Sequence, residues 1–192
     1  MKIYIIRHGQ TIKNKERLLQ GRSDAPLNQQ GIGQAQMAAQ YFRQQHIWFD
    51  RVFSSPLQRS VQTARIVSGQ SDIRLDDRLL EMDYGPYEGT SLDHPSQEIV
   101  DFFSDFVHNP APKGMESLES VVRRMGSFLE ELAKEPVEHV LVSTHAVAMK
   151  GALEYLDPYS QGSYWSRFIS NCGIYRVDYE KNSFTLPRPL NV

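Results

Sequence analysis

Two apolar periods alternate along the chain, and that alternation limits the folds open to it. Short β-branched or aromatic runs at Lys2–Arg7, Arg51–Ser54 and Glu138–Ser143 are followed, directly or after a polar loop, by apolar residues at helical spacing. Beyond Asn28, which can cap, Ile32, Ala35, Ala39 and Phe42 share one face. Pro56 suits the first turn of a helix in which Leu57, Val61, Ala64 and Val67 recur. Beyond Thr144, helix formers continue to about Leu156. Two more helices are predicted between these units. Gln97–Val107 carries a core stripe of Ile99, Phe102, Phe103 and Phe106. Ser117 opens the other, with Leu118, Val121, Val122, Met125, Phe128, Leu129 and Leu132 on one side and Pro136 beyond it. Gly173–Tyr179 and Ser183–Leu186 predict a hairpin closing at Lys181–Asn182. This order implies an α/β fold, a doubly wound, mostly parallel sheet with helices on both faces. With 192 residues, 40% of them apolar, one domain spanning 1–192 is expected.

Several function classes fall away. Lys and Arg number 21 against 23 Asp and Glu, a net charge of −2, so no basic footprint marks a nucleic-acid or membrane-surface partner. The longest apolar runs, Ile3–Ile6 and Ala146–Met149, fall far short of the roughly 20 residues that span a bilayer. Nor does the N-terminal run suffice for a signal peptide. The single cysteine, Cys172, excludes an internal disulfide and cysteine-rich zinc sites, and predicts a cytoplasmic setting. His46, His94, His108 and His139 lack metal-ligand spacing and are expected at the surface or in caps. Ser54, Ser55 and Ser143 lack a nucleophile-elbow pattern, which argues against serine hydrolysis. Oligomeric state leaves no mark in the sequence.

In open α/β sheets ligands bind beyond the carboxyl ends of strands. The first strand ends in Arg7-His8-Gly9, the second leads to Arg59, and the third ends in Thr144-His145. If these strands are neighbours, two arginines and two histidines meet in one cationic pocket. Forked guanidinium donors and helix N-termini suit a phosphate there. A neutral imidazole can attack phosphorus, and arginines can carry the charge that Mg²⁺ carries elsewhere. No cofactor and no metal are expected.

Arg7-His8-Gly9-Gln10-Thr11 resembles the signature of the histidine phosphatase superfamily, the phosphoglycerate-mutase-like proteins. Asp24–Asn28 with Gly31, Gln34 and Ala35, and Ser54–Ala64, resemble its second and third blocks. Leu80-Glu81 with Gly85, Glu88 and Gly89 resembles the acid-bearing block; Gly114–Ser117 and Val142–His145 resemble the last two. The resemblance implies that His8 is the phosphorylated nucleophile. It implies that Arg7, Arg59 and His145 bind the phosphoryl group, with Asn14 and the Ala146 amide assisting. Glu81 is then the acid and later the base, with Asp83 and Glu88 as alternatives, and Gln20 and Gly21 line the entrance. Residues about 82–116 would form a lid over the pocket.

The chain departs from the family pattern at Ala146, usually glycine, and at Lys150, where an arginine is common. Thr144 also stands where many members pass directly from Ser to His. Residues 81–112 hold seven acids and no Lys or Arg. A mutase, which must hold the substrate's second anion, wants cations there. The wording around Glu81 is similar to that of broad-specificity and α-ribazole phosphatases. The expected partner is a small phosphorylated metabolite and the expected reaction its hydrolysis. A phosphoglycerate mutase or a non-catalytic phosphate-binding regulator is the alternative.

Overall fold

A computed structural model describes residues 1–191. The strands are β1 (Lys2–Arg7), β2 (Arg51–Ser54), β3 (Arg74–Leu75), β4 (His139–Thr144), β5 (Ile174–Glu180), β6 (Ser183–Phe184) and β7 (Arg188–Leu190). They form one sheet in the order β3-β2-β4-β1-β5-β6, with β7 paired to β5. The β1–β4, β2–β4 and β2–β3 pairs are parallel. β5 runs antiparallel to β1, β6 and β7. The expected mostly parallel sheet is present, with an antiparallel end.

Successive strand residues point to opposite faces, so each face needs its own apolar cover. Ile3, Ile5, Val140 and Val142 face one layer, where α5 (Leu118–Leu132) buries Met125, Phe128 and Leu129 and α6 (Ala146–Leu156) buries Ala148, Met149 and Leu153. Tyr4, Ile6, Val52 and Leu141 face the other, covered by Ala35, Ala38 and Phe42 of α2 (Gln29–Gln44) and by Ala64 and Val67 of α3 (Gln58–Ser68). The side chains of Asn28 and Ser117 accept the amides of Gly31 and Ser120 and cap α2 and α5, about 1 kcal/mol each.

Some boundaries differ from expectation. Pro56 lies before α3 rather than in its first turn. Leu57 stays extended as the N-cap (ψ 135°), and the Gln58 amide donates to Asp24 of a distant loop at 2.8 Å. The third predicted helix, α4 (Gln97–Ser104), stops at Ser104, because the Asp105 carboxylate takes the amides of Val107 and His108 into a turn of its own. β4 begins and ends one residue later than predicted, which places Thr144 inside the strand. The polar stretch after Gly9 contains one unforeseen turn, α1 (Ile12–Lys15), closed by a reciprocal Thr11–Asn14 capping box. The hairpin turns at Lys181 and Asn182 as predicted, both at positive φ, the requirement of a two-residue connection of this hand.

Candidate active site

β1 and β4 pair in register, with Arg7 opposite Thr144, and β4 pairs with β2, with Ser143 opposite Ser54. The next residues, His8, His145 and Ser55, therefore emerge together at one sheet edge. The two imidazole rings lie 5.1 Å apart between centroids. Arg59, near the start of α3, is fully buried between them. The glycine of the first motif has a packing reason: a Cβ on Gly9 would come within 2.5 Å of the Gly31 carbonyl, so backbone meets backbone where α2 abuts the loop.

Hydrogen bonds assign the protons. His8 Nδ1 lies 2.7 Å from the Gly9 carbonyl, which can only accept, so Nδ1 carries the hydrogen. Nε2 is left with its lone pair and accepts from Arg59 Nε at 3.3 Å. The same Nε–H is shared with His145 Nδ1 at 3.2 Å, and His145 Nε2 then donates to Ser55 Oγ at 2.8 Å. Both rings are neutral. Burial, then the charges of Arg59 and Arg7, hold His8 well below the usual histidine range; burial and Arg59 do the same for His145.

The cations are held by carbonyls, which leaves their charge available. Arg59 donates its outer nitrogens to the Gly21 and Ser23 carbonyls at 2.6 and 2.8 Å. Arg7 donates to the Ile169 carbonyl, while its buried Nε has no protein acceptor. Gln20 accepts from Thr11 Oγ1 through Oε1, and its buried Nε2 is likewise unpartnered. Asn14 turns Oδ1 toward the Thr11 amide, which leaves its amino group for other acceptors. Ala146 opens α6, so its amide has no acceptor within the helix. These donors frame a site for a tetrahedral anion.

Glu81 is buried beside them. Its carboxylate caps the start of α6, accepting from the amides of Val147 and Ala148 and from that of Met82. Thr144 Oγ1 donates to the Leu79 carbonyl, and Arg124 to the carbonyls of Arg78 and Leu80, so two side chains fix the segment that carries Glu81. Asp83 turns away to accept the Gly85 amide, and Glu88 binds the loop at Gly21. Four of the remaining lid acids are also engaged: Asp93 with Arg17 of the N-terminal loop, and within the lid Glu98 with Tyr87, Asp101 with Gln97 and Asp105 with His108. The rim cations come from outside the lid. Arg22 donates to the Glu81 carbonyl, and Lys150 donates to the Trp165 carbonyl at 2.6 Å, its pKa lowered by burial to about 8.

Sequence reasoning missed Thr63, Asn171 and Cys172. Thr63 Oγ1 accepts the Gly9 amide; the Asn171 amino group and the Cys172 amide donate to the His8 carbonyl. Cys172 takes a positive φ of 58°, which no composition signal announces. Its thiol is buried, pushed up to about 12 and aligned with a packing role. Ser54, Ser60 and Ser143 tie α3 to β4 or bond locally. Among the described residues, no group of three His, Cys, Asp or Glu is placed to hold a metal ion.

Neutral, buried histidines make stability depend on pH. Their folded-state pKa values lie below the unfolded value near 6.5, so the unfolded chain binds protons first as pH falls. Stability is full above about 6.5 and declines below it, as the unfolded chain takes up protons that the folded histidines do not. Denaturant midpoints between about pH 7.5 and 5.5 should fall less steeply in His8→Asn than in the wild-type chain. Identical slopes would show that folding leaves the proton affinity of His8 unchanged, and a steeper fall in the variant that His8 is charged in the folded state.

Comparison with known proteins extends the geometry. Residues 3–191 match the family described as histidine phosphatase superfamily (branch 1). A Yersinia pestis protein named "Probable phosphoglycerate mutase GpmB" is 31% identical over 189 residues, 95% of this chain and 86% of that one. A crystal structure of phosphoserine phosphatase from Entamoeba histolytica with 3-phosphoglyceric acid superposes at a TM-score of 0.84 with 26% identity, covering 100% of this chain and 97% of that one. The α-ribazole phosphatase of Shigella flexneri also gives 0.84, at 25% identity, covering 100% and 96%. No helix among the described residues is long and apolar enough to cross a membrane.

Proposed function

Because this chain belongs to the histidine phosphatase superfamily, we propose that it hydrolyses a small phosphomonoester through a phosphohistidine on His8, without a metal. The observation that carries this is the tautomer of His8. Its Nδ1–H is anchored on the Gly9 carbonyl, so the ring's lone pair lies on Nε2, where it takes only a share of the Arg59 Nε–H at 3.3 Å, a bond that an incoming phosphoryl group displaces. In the first step Nε2 attacks phosphorus and the ester P–O bond breaks. Glu81 gives the leaving oxygen a proton. In the second, Glu81 takes a proton from water as the water oxygen attacks phosphorus. The P–N bond then breaks and releases inorganic phosphate. Arg7, Arg59, Asn14, Gln20 and the Ala146 amide hold the phosphoryl oxygens.

Phosphatase rather than mutase activity is supported by the composition of the lid, since residues 81–112 hold seven acids and no Lys or Arg to take a substrate's second anion. The two named phosphatase structures point the same way. Residues 82–116 act as the lid. Gly89 and Thr90 bond the backbone of Leu19 on one side, and Phe106 stacks on Trp165 at 6.0 Å on the other.

Glu81→Gln tests the assignment. The substituted amide cannot release a proton, so alkyl phosphates should slow by on the order of 10²-fold or more, while p-nitrophenyl phosphate, with its good leaving group, slows far less. Equal loss on both would move the acid role elsewhere. Phosphoglycerate interconversion faster than hydrolysis of any ester in a panel would establish the mutase instead. Turnover should also survive EDTA, because guanidinium groups carry the charge; loss restored by Mg²⁺ or Zn²⁺ would refute that.

A further inference from the structure

The site contains one carboxylate that the mechanism does not use. Glu88 gathers one short loop: its carboxylate accepts the Gly21 amide at 2.9 Å, the Arg22 amide at 3.1 Å and the Ser23 hydroxyl. Lys13 stands behind it, bonded to Ser23 Oγ at 2.8 Å. The carbonyls of the same loop, at Gly21 and Ser23, receive the two outer nitrogens of Arg59. Amides point one way to Glu88 and carbonyls the other way to Arg59. The loop is a plate between a carboxylate and a guanidinium, and the glycine is needed in it. A Cβ at Gly21 would come within 2.8 Å of Glu88 Oε2 and 2.7 Å of the Met82 carbonyl.

We propose that Glu88 is the positioning residue of the phosphate site, holding the Gly21–Ser23 carbonyls where they orient the Arg59 guanidinium toward His8 and His145. The argument rests on the phosphoryl-site assignment above. Arg59 is buried without a carboxylate of its own in hydrogen-bond contact, so its orientation depends on where those two carbonyls lie. With its fork fixed, Nε falls between the two imidazoles and two N–H groups of the outer nitrogens stay without a protein acceptor. Glu88 also supplies negative charge near a buried cation, second only to Glu81 in its pull on Arg59. Glu88 differs from Glu81 in what it holds: its oxygens take the Gly21 and Arg22 amides and the Ser23 hydroxyl, in the loop whose carbonyls bind Arg59.

The test reads orthophosphate affinity by calorimetry together with hydrolysis of aryl and alkyl esters. Glu88→Ala should weaken orthophosphate binding on the order of tenfold. It should lower kcat by the same factor for both ester classes. Glu88→Gln keeps the side-chain length and one acceptor oxygen, and should recover to within about threefold of the wild-type chain. In an Arg59→Ala background, adding Glu88→Ala should change orthophosphate affinity less than about twofold, because nothing is left to orient. An equal loss in both backgrounds would overturn the proposal and make Glu88 a general structural residue. A loss confined to alkyl esters would overturn it in favour of an acid role. Orthophosphate binding does not require turnover. A chain that proved to be a mutase or a binder would sink the hydrolase assignment and still leave this measurement to decide on Glu88.

Discussion

Replacing His8 by alanine is expected to abolish turnover, by on the order of 10⁴-fold or more, the scale seen when a covalent nucleophile is removed. The effect is large because the environment of His8 serves one atom. Gly9 fixes the tautomer, Asn171 and Cys172 hold the backbone carbonyl, and Arg59 points at Nε2. His145 differs in tautomer: its Nε2–H is committed to Ser55, so its lone pair lies on Nδ1. Acid quenching after a brief exposure to ³²P-labelled ester should trap acid-labile phosphoprotein in the wild-type chain and none in His8→Ala. Orthophosphate should still bind the variant, since the arginines remain. Near-normal rates in His8→Ala would refute the covalent mechanism.

Arg59→Ala should cost on the order of 10²-fold or more, the scale of losing one donor to a developing oxyanion. The conservative replacement should fare little better. A lysine ammonium cannot reach both loop carbonyls and still place a donor between two imidazoles, so Arg59→Lys should also fall by on the order of 10²-fold. Truncation leaves the buried Gly21 carbonyl without its donor, about 1–3 kcal/mol of stability. It also changes the pH profile in a predictable direction. The Arg59 charge is the second cause, after burial, of the lowered His8 pKa. Removing it raises that value part of the way back, so the acid limb of kcat/KM moves to higher pH. An unmoved limb would show that burial alone sets the protonation of His8.

The sheet was legible because each strand run is bounded and β-branched, and because Ile3, Ile5 and Tyr4, Ile6 supply apolar atoms to both faces. The convergence of Arg7, His8, Arg59, Glu81 and His145 could be anticipated from strand ends and motif order. What escaped were contacts whose partner is remote. Pro56 misled because the first amide of α3, that of Gln58, is taken by Asp24, 34 residues away. β7 is three residues long and carries a proline, so it has no strand pattern of its own. Asn171 and Cys172 act through one amino group and one backbone amide, and backbone donors leave no trace in residue type. The lid acids read as a single charged patch in one dimension. In three they separate: Asp83 and Asp105 hold turns, Glu98 and Asp101 bond within the lid, Asp93 pairs with Arg17, and Glu81 and Glu88 hold backbone amides of other elements.

The central position of β1 has a consequence for the order in which the molecule can be made. Lys2 pairs with His139, a separation of 137 residues, and β1 is flanked by β4 on one edge and β5 on the other. A ribosome adding about 5–20 residues per second releases the first strand many seconds before either neighbour exists. Until then Ile3, Tyr4, Ile5 and Ile6 have no sheet to join, and they are the kind of segment that chaperones shield. Nascent chains arrested before β5 emerges should therefore be protease-sensitive throughout. His8 and His145 can meet only once β4 has paired with β1.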